Sequence, residues 1–293
     1  MTMDDALTRA FEAQRPRLVR LAYATTGSVA EAEDCVQEAW LRLRRAEDRT
    51  EIRDLPAWLT TTVSRLALDA LTSARARRER YVGQWLPEPL VTDLGDEDPA
   101  EAAVLDESVS MALLLVLERL TPAERTAFLL HDVFGLSFEE VAGVVGRSPA
   151  AVRQLASRAR HHVREGRPRT PATHAEQQRL VEAFVAACQA GDLPGLVALL
   201  DPEVVWRGDG GGKVATWPRT EHGAENVAGK LLRYLSLPHP AIRLAEVSGG
   251  PGLVLRDPYG VLTVIAFTVD TGRIVAIDVV RNPDKLTMVP DPE

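Results

Sequence analysis

The chain has 293 residues, a length that predicts two or three compact domains. Hydrophobic residues make up 45%, enough for each domain to bury a core, whereas an aromatic content of 5% disfavours single-strand binding by stacking. Cys35 and Cys188 form no metal-binding or disulfide pattern. The acidic start MTMDD and the short apolar run Met111–Leu117 suit neither a signal peptide nor a membrane span. We therefore expect a cytoplasmic protein with no membrane association, metal or cofactor.

The net charge of −8 is unevenly distributed along the chain. Residues 81–120 hold 1 basic and 9 acidic side chains, which gives −8, whereas residues 121–170 hold 8 and 5, which gives +3. Neutralisation of phosphates supplies most non-specific affinity for DNA. A DNA-binding protein of this composition needs a dimer or a larger basic partner.

The first block, residues 5–80, predicts helices. Ser28 and Glu31 form a capping box, and Asp54-Leu55-Pro56 opens a further helix with proline in its first turn. Residues 81–107 contain three prolines and a dense run of acidic residues, which indicates a linker that is at least partly extended.

The second helical block, residues 108–165, has clear helix starts at Thr121, Ser137 and Ser148. From residue 175 the pattern changes. One amphipathic helix over Ala175–Ala190 is followed by β-rich runs, which predicts an α+β domain. Those runs are Gly252–Arg256, Val261–Val269 and Arg273–Val280.

A helix-turn-helix is predicted between Phe138 and Leu155. Val141 and Val145 supply the apolar face of the first helix, Ala142 is small enough for a helix crossing, and Gly146 tolerates the positive φ of the turn. The second helix packs through Val152 and through Leu155 or Ala156.

The opposite face of this second helix suits the major groove, because arginine can pair with guanine, glutamine with adenine, and small residues allow close approach. A basic helix of an ordinary bundle is the alternative, but the caps, glycine turn and crossing alanine favour DNA reading. The predicted DNA-binding residues of this block are Ser148, Ala151, Arg153, Gln154, Ser157, Arg158 and Arg160.

The helical blocks resemble a known family. AEDCVQEAWLRLRR (32–45) resembles the polymerase-binding helix of sigma factor region 2. AWLTTTVSRLALDALTSARARRE (57–79) resembles the segment that melts and reads the minus-ten element. LERLTPAERTAFLLHDVFGLSFEEVAGVVGRSPAAVRQLASRAR (117–160) resembles region 4, which reads the minus-thirty-five element. Together they look like an extracytoplasmic-function RNA polymerase sigma factor.

This resemblance implies core RNA polymerase and promoter DNA as partners. It implies polymerase contacts by Asp34, Gln37 and Glu38, whose acidic face suits a basic clamp. Promoter contacts fall on Arg65 (where the family more often has Asn), Arg75, Arg77 and Arg78. The linker would thread the basic channel of polymerase, although a solvated linker is an equal alternative. The acidic residues concerned are Asp93, Asp96, Glu97, Asp98 and Glu101.

The C-terminal extension also carries a resemblance. LVEAFVAACQAGDLPGLVALLDPEVVWRGDGGGKV (180–214) resembles the opening of a SnoaL-like domain with a cone fold. With Trp85-Leu-Pro-Glu-Pro, Asp209-Gly-Gly-Gly-Lys213 and Asn282-Pro-Asp-Lys-Leu286, the chain resembles the sigma subgroup that carries this domain. The expected fold is multidomain, with two all-α domains and a C-terminal α+β domain. The expected domains are region 2 (1–85), an acidic linker (86–108), region 4 (109–168) and the SnoaL-like domain (169–293).

Regulation is the preferred role of the extension, which in this subgroup would replace a separate anti-sigma factor. The glycine loop would dock near the YVGQWLPEP linker or the sigma domains, and the tail would act with it; a turn without outside contacts is the alternative. The loop consists of Asp209, Gly210, Gly211, Gly212 and Lys213, and the tail of Asn282, Pro283, Asp284, Lys285 and Leu286.

Two further functions stay open from the sequence. One is a polymerase-independent helix-turn-helix regulator whose cone domain senses a small-molecule ligand. The other is a SnoaL-like enzyme fused to DNA-binding helices, with Trp206, Asp209 and His222 near its pocket. Acid-base chemistry needs a buried group with a shifted pKa, and the sequence does not establish one.

Overall fold

The computed structural model of the protein describes residues 3–45, 52–78, 81–94, 110–166, 170, 172–217, 219–235, 241–257 and 259–292. The chain folds into two compact units. The first unit combines residues 1–79 with 116–166, and the second combines residues 80–115 with 167–293. The described part of the expected linker therefore belongs with the C-terminal domain. No helix in the described ranges is both long enough and apolar enough to cross a membrane.

The first unit begins with three long helices. They are α1 (Met3–Thr26), which continues through Pro16, α2 (Val29–Arg45) and α3 (Leu55–Arg78). Asp54 caps α3 as predicted, since its Oδ1 accepts from the Ala57 amide at 3.0 Å. Apolar side chains of all three helices are fully buried in this bundle, among them Leu18, Leu21, Val36, Leu43, Leu59 and Val63.

The second part of this unit consists of short helices that lead to a longer one. α4 (Met111–Leu117) contains the boundary between the units, and α5 (Pro122–Phe128) runs into a π-helical turn (Leu129–Val133). α6 (Phe138–Val145) and α7 (Pro149–Gly166) follow. The helix starts predicted at Thr121 and Ser137 are both present, and each has a complete capping box.

Buried arginine bonds join the two parts of the first unit. Arg125 is 1% exposed, and its guanidinium donates to the carbonyl of Ala24 at 3.2 and 3.0 Å and pairs with Glu118. Arg78 of α3 pairs with the same Glu118. A buried guanidinium is tolerated because these acceptors satisfy it.

The second unit is built on a seven-stranded sheet. The helices are α8 (His174–Ala190), α9 (Leu193–Leu199) and α10 (Ala224–Leu235), with a 3-10 turn at Pro283–Lys285. The sheet order is β1-β4-β5-β6-β7-β2-β3, in which β2 and β7 are parallel and the other pairs antiparallel. The strands are β1 (Val91–Thr92), β2 (Leu200–Asp209), β3 (Glu221–His222), β4 (Ala241–Val247), β5 (Pro251–Arg256), β6 (Leu262–Asp270) and β7 (Arg273–Val280).

The expected linker supplies strand β1. Val91 pairs with Val247 of β4, and the amide of Ser248 donates to the carbonyl of Leu90 at 2.7 Å. Asp93, expected in the basic channel of polymerase or in solvent, is paired with Arg243 in this structure. The other expected acidic residues, Asp96, Glu97, Asp98 and Glu101, lie outside the described residues. The described linker is extended but docked, because its backbone completes a sheet edge.

Candidate functional site

The helix-turn-helix has the local geometry that the sequence predicts. Ser137 accepts the amide of Glu140 at 3.2 Å, and Gly146 ends α6 in the left-handed region with φ of 68°. Val141 and Ala142 are buried as predicted, but Val144 is buried where Val145 was expected, and Val145 is only half-buried. The difference is one position on a short helix, which sequence periodicity cannot resolve.

α7 separates a packed face from an exposed one. Val152 and Ala156 are fully buried, which resolves the choice between Leu155 and Ala156. The exposed face carries Arg153, Gln154, Ser157 and Arg158. Glutamine, serine and arginine side chains at successive turns can reach base edges and phosphates.

The other predicted DNA-binding residues of this block have local partners. Ser148 caps α7 by accepting the amide of Ala151 at 3.3 Å, and Ala151 is half-buried. Arg160 pairs with Asp132 at 2.6 Å. Arg153 lies 3.4 Å from Glu139, with both side chains mostly exposed. An exposed pair contributes little and can open when a phosphate approaches.

The predicted polymerase-binding residues lie on the outer side of α2. Asp34 and Gln37 are exposed, and Glu38 is half-buried and pairs with Arg42 at 2.8 Å. The opposite side of the helix is buried, with Ala32, Cys35, Val36, Ala39 and Leu43. The acidic face is available within this unit.

The predicted promoter arginines of α3 are engaged inside the first unit. Arg65 donates to the carbonyl of Gly143 at 2.9 Å, and Arg75 donates to that of Leu120 at 3.1 Å. Arg78 pairs with Glu118 and is largely buried, whereas the side chain of Arg77 lies outside the described residues. Arg65 and Arg75 are exposed apart from these bonds to carbonyls, whereas Arg78 is held in its ion pair. Promoter contact by these arginines stays a prediction that requires their present bonds to open.

The second site is a group of interacting side chains in the second unit. We call it the docking cluster: Tyr81, Trp85, Leu86, Asp209–Lys213 and Asn282–Leu286. The Asp209 carboxylate is completely buried and accepts four bonds. Its donors are Tyr81 Oη at 2.6 Å, the Leu86 amide at 2.9 Å, Lys285 Nζ at 2.7 Å and the Gly211 amide at 3.0 Å.

Lys285 and Asn282 connect the tail to the linker. The Lys285 ammonium donates to the carbonyl of Leu86 and lies 4.1 Å from the ring centre of Trp85. Asn282 Nδ2 donates to Tyr81 Oη at 2.7 Å. Burial and the hydrogen bond to Asp209 raise the pKa of the Tyr81 phenol. The phenol is therefore a neutral donor at physiological pH.

All three loop glycines are required by close approach, and a Cβ on Gly210 would lie 2.0 Å from the carbonyl oxygen of Val214. Gly211 has φ of 63°, and a Cβ there would lie 2.4 Å from Cγ of Asn282. Gly212 has φ of 69°, and a Cβ there would lie 2.9 Å from Cβ of Val82. Only glycine fits both the backbone conformation and the space.

The remaining members close the cluster. Lys213 pairs with Asp284 at 2.6 Å at the surface, and Leu286 packs beside Leu86 in a buried core. The structure thus brings the predicted loop and tail together with the linker. Tyr81 was not singled out from the sequence, because nothing local marks a tyrosine whose partners lie 128 and 201 residues away.

The second unit also contains a cavity of about 520 Å³. Trp206 lines it, but Asp209 and His222 are not among its lining residues. The Asp209 carboxylate is saturated by donors in the docking cluster, and His222 is exposed on β3. The described geometry does not assemble the acid-base pair that the enzyme alternative needs.

Comparison with known proteins identifies the family. Residues 10–77 match sigma-70 region 2, and residues 110–163 match sigma-70 region 4. The chain is 46% identical to the ECF RNA polymerase sigma factor SigJ of Mycobacterium tuberculosis, over 96% of this chain and 93% of that one. The chain belongs to the ECF RNA polymerase sigma factor family. This sigma factor is also 36% identical to the probable ECF sigma factor SigI of the same species, over 98% and 97% of the two chains.

A solved structure supports the same family relationship. The crystal structure of the M. tuberculosis sigma factor SigJ matches this sigma factor with a TM-score of 0.78 and 42% identity, over 96% of this chain and 98% of that one. The predicted fold class, helical sigma domains followed by a C-terminal α+β domain, is confirmed, and its sheet is mixed.

Proposed function

We propose that this sigma factor binds core RNA polymerase, directs initiation at promoters, and is regulated by its own C-terminal domain through the docking cluster. One observation carries the regulatory part. The buried carboxylate of Asp209, from the C-terminal domain, accepts bonds from both Tyr81 and Leu86 of the linker.

The initiation part rests on two surfaces and on family membership. The acidic face of α2, with Asp34 and Gln37 exposed, suits a basic clamp on polymerase. The exposed face of α7, with Gln154 and Arg158, suits the minus-thirty-five element in the major groove. The modest positive charge of residues 121–170 supports action on polymerase rather than alone.

The regulatory part follows from chain length. Residues 80–115 connect the two promoter-reading blocks along the chain. Extended chain reaches about 3.3–3.6 Å per residue, so residues 81–94 can span roughly 45–50 Å, and docking fixes the path of that span on the C-terminal domain. Release of the docked segment would let the two blocks adopt the spacing of a promoter. Control within one chain would make a separate anti-sigma factor unnecessary, which stays a prediction.

The test is a pull-down with core polymerase followed by run-off transcription, with the full chain and with Lys285→Ala. A sigma factor forms a stoichiometric complex and starts at defined sites, and Lys285→Ala changes the yield severalfold without loss of the complex. Arg233→Ala, at an exposed position of α10 outside the docking cluster, is the matched control and should change little. Removal of all residues after 172 is less informative, since it can remove activation and inhibition together.

The same experiment separates the alternatives. Binding of duplex DNA with no affinity for polymerase would indicate an independent regulator, and turnover of a small molecule would indicate an enzyme. Unchanged transcription in both Lys285→Ala and the truncated chain would contradict regulation by the C-terminal domain.

A further inference from the structure

An aromatic stack lies beside the second helix of the helix-turn-helix. The ring of Phe138, the first residue of α6, stacks on the imidazole of His131, with ring centres 3.8 Å apart and planes 27° apart. The guanidinium carbon of Arg153, on α7, lies 5.0 Å from the centre of the same Phe138 ring. Three segments of the first unit therefore meet at one half-buried phenylalanine.

The backbone holds the His131 imidazole in place. Its Nδ1 atom lies 2.8 Å from the carbonyl oxygen of Leu136, and because a carbonyl only accepts, Nδ1 carries the hydrogen. His131 belongs to the π-helical turn, a local form that is frequent at functional sites. The amide of Leu136 in turn donates to the carbonyl of Leu130 at 2.9 Å, which closes this segment. The His131 ring is thus a fixed support for the Phe138 ring.

The Phe138 ring gives the exposed Arg153 side chain a preferred direction. An arginine side chain has many rotamers, and restricting them at the moment of DNA binding costs affinity. A guanidinium that lies over an aromatic face is attracted by the ring and loses part of that freedom in advance. The contact with Phe138 therefore prepares Arg153 for a directional bond.

The neighbouring ion pair does not fix this direction. Arg153 lies 3.4 Å from Glu139, and the two side chains are 54% and 66% exposed. Water and salt weaken such a pair, and the guanidinium has to leave the carboxylate to bond DNA. The Phe138 ring is uncharged and uses the face of the guanidinium, so its contact can persist while the N–H groups bond a base.

We propose that Phe138 is a positioning residue for base selection. Its ring, supported by His131, holds the Arg153 guanidinium in the orientation with which Arg153 contacts a base of the minus-thirty-five element. Guanine is the expected base, because its O6 and N7 atoms accept two N–H groups of one guanidinium. The inference rests on the proposed function, since it takes α7 as the DNA-reading helix.

The test measures base selection by the holoenzyme in run-off transcription, on templates that carry each base pair at each minus-thirty-five position. Arg153→Ala identifies the position that Arg153 selects, because the preference for one base pair is lost there. Phe138→Leu should reduce the preference at that same position about twofold to fivefold, the range of an exposed cation–π contact, and leave the other positions unchanged. Phe138→Tyr keeps the ring and should keep the full preference.

A double-mutant cycle distinguishes positioning from a general structural effect. Phe138→Leu should change selection no further when Arg153→Ala is already present, because Phe138 acts only through Arg153. Phe134→Leu is the matched control: Phe134 is also half-buried, and in the described part of the chain its ring has no contact with a cationic group. Its base selection should equal that of the unaltered chain. Circular dichroism shows that each variant is folded.

Nuclear magnetic resonance of the free chain tests the contact without transcription. The ring current of Phe138 should shift the Nε–Hε resonance of Arg153 upfield. Phe138→Leu should remove this shift, and Phe138→Tyr should retain it. An Arg153 resonance that is the same in the Phe138→Leu variant and the unaltered chain overturns the proposal, because the ring would then not hold the guanidinium in solution.

The transcription results also separate this inference from the proposed function. Lost selection in Arg153→Ala, with reduced selection at the same position in Phe138→Leu, supports both. Lost selection in Arg153→Ala, with Phe138→Leu either unchanged or weakened equally at all positions, overturns the positioning role and keeps DNA reading by α7. Selection that survives Arg153→Ala overturns the inference and contradicts base reading by Arg153.

Discussion

The Nζ atom of Lys285 lies 2.7 Å from Oδ2 of Asp209, and the two side chains are 12% and 0% exposed. They are 76 residues apart in the chain, and the linker residues Tyr81 and Leu86 complete their contacts. Replacing both partners of a buried ion pair can be neutral, but removing one strands the other charge. The docked positions of the linker, the glycine loop and the C-terminal tail therefore depend on one another.

We expect Asp209→Asn to undock the linker. The change keeps the volume but leaves Lys285 without its buried counter-charge, which should lower the free energy of unfolding of the second unit by about 3–5 kcal/mol. Urea unfolding measures the loss, and hydrogen exchange should show faster amide exchange over residues 81–94. Asp284→Asn is the control, because its pair with Lys213 is 55–63% exposed and should contribute less than about 1 kcal/mol. Equal effects of the two variants would contradict a buried anchor.

Gly211→Ala should also open the cluster. A Cβ at this position would overlap the Asn282 side chain, and φ of 63° costs a non-glycine residue about 1–2 kcal/mol. Limited proteolysis within residues 81–94 should become faster. Gly229→Ala is the control: it lies in α10 with no neighbouring atom within 4 Å and should stabilise the chain by up to about 1 kcal/mol. Protease resistance equal to that of the unaltered chain would count against the steric argument.

Arg125→Ala should destabilise the first unit. It leaves Glu118 and the carbonyl of Ala24 without the buried guanidinium that satisfies them, so a loss of about 3–5 kcal/mol is expected in urea unfolding. Arg119→Ala, at an exposed neighbouring position, should change the free energy by less than about 0.5 kcal/mol. A small effect at Arg125 would show that the joined helical blocks do not depend on this ion pair.

Gln154→Ala should alter promoter preference, if α7 reads the minus-thirty-five element as proposed. Loss of one base-specific contact should cost about 1–3 kcal/mol on the preferred base and relax selection at that position. Run-off transcription of the holoenzyme on templates altered at each minus-thirty-five position measures this. Arg164→Ala, later on the same helix, should weaken all templates evenly. An even loss for Gln154→Ala would assign that residue to the backbone instead.

The two thiols should be unreactive in the folded chain. Burial raises the pKa of Cys188 to about 12, and burial together with nearby acidic residues raises that of Cys35 to about 11. A thiol-specific reagent at pH 8 should react far faster in concentrated urea than with the native chain. The raised pKa values also stabilise the fold below about pH 9, near the pKa of a thiol in the unfolded chain, and this contribution is lost as pH rises toward 11–12. Fast native labelling would place the thiols at the surface.

Local features were predictable from the sequence, and tertiary ones were not. The capping boxes at Thr121 and Ser137 and the turn at Gly146 depend on neighbours within a few residues, and they are present. The strand β1 has only two residues and exists because β4 pairs with it, so no periodicity marks it.

The engaged arginines illustrate the same limit. Arginine is a typical phosphate-binding residue, but Arg65 and Arg75 donate to backbone carbonyls 78 and 45 residues away in the chain. The docking cluster was predicted only because three short motifs resemble those of one subgroup. Their geometry, with Asp209 at the centre, follows from packing that a sequence pattern does not contain.

The linker is synthesised before the C-terminal residues to which it docks. Tyr81 hydrogen-bonds to Asp209, which is synthesised 128 residues later, and the carbonyl of Leu86 accepts from Lys285, which is synthesised 199 residues later. At synthesis rates of about 5–20 residues per second, the second delay lasts roughly 10–40 seconds. In the later part of that interval, after residue 166 has been made, both promoter-reading blocks are complete while the C-terminal anchor is still unmade. Under the proposed function, a newly made chain can therefore bind polymerase for a short time before its C-terminal domain is able to dock the linker.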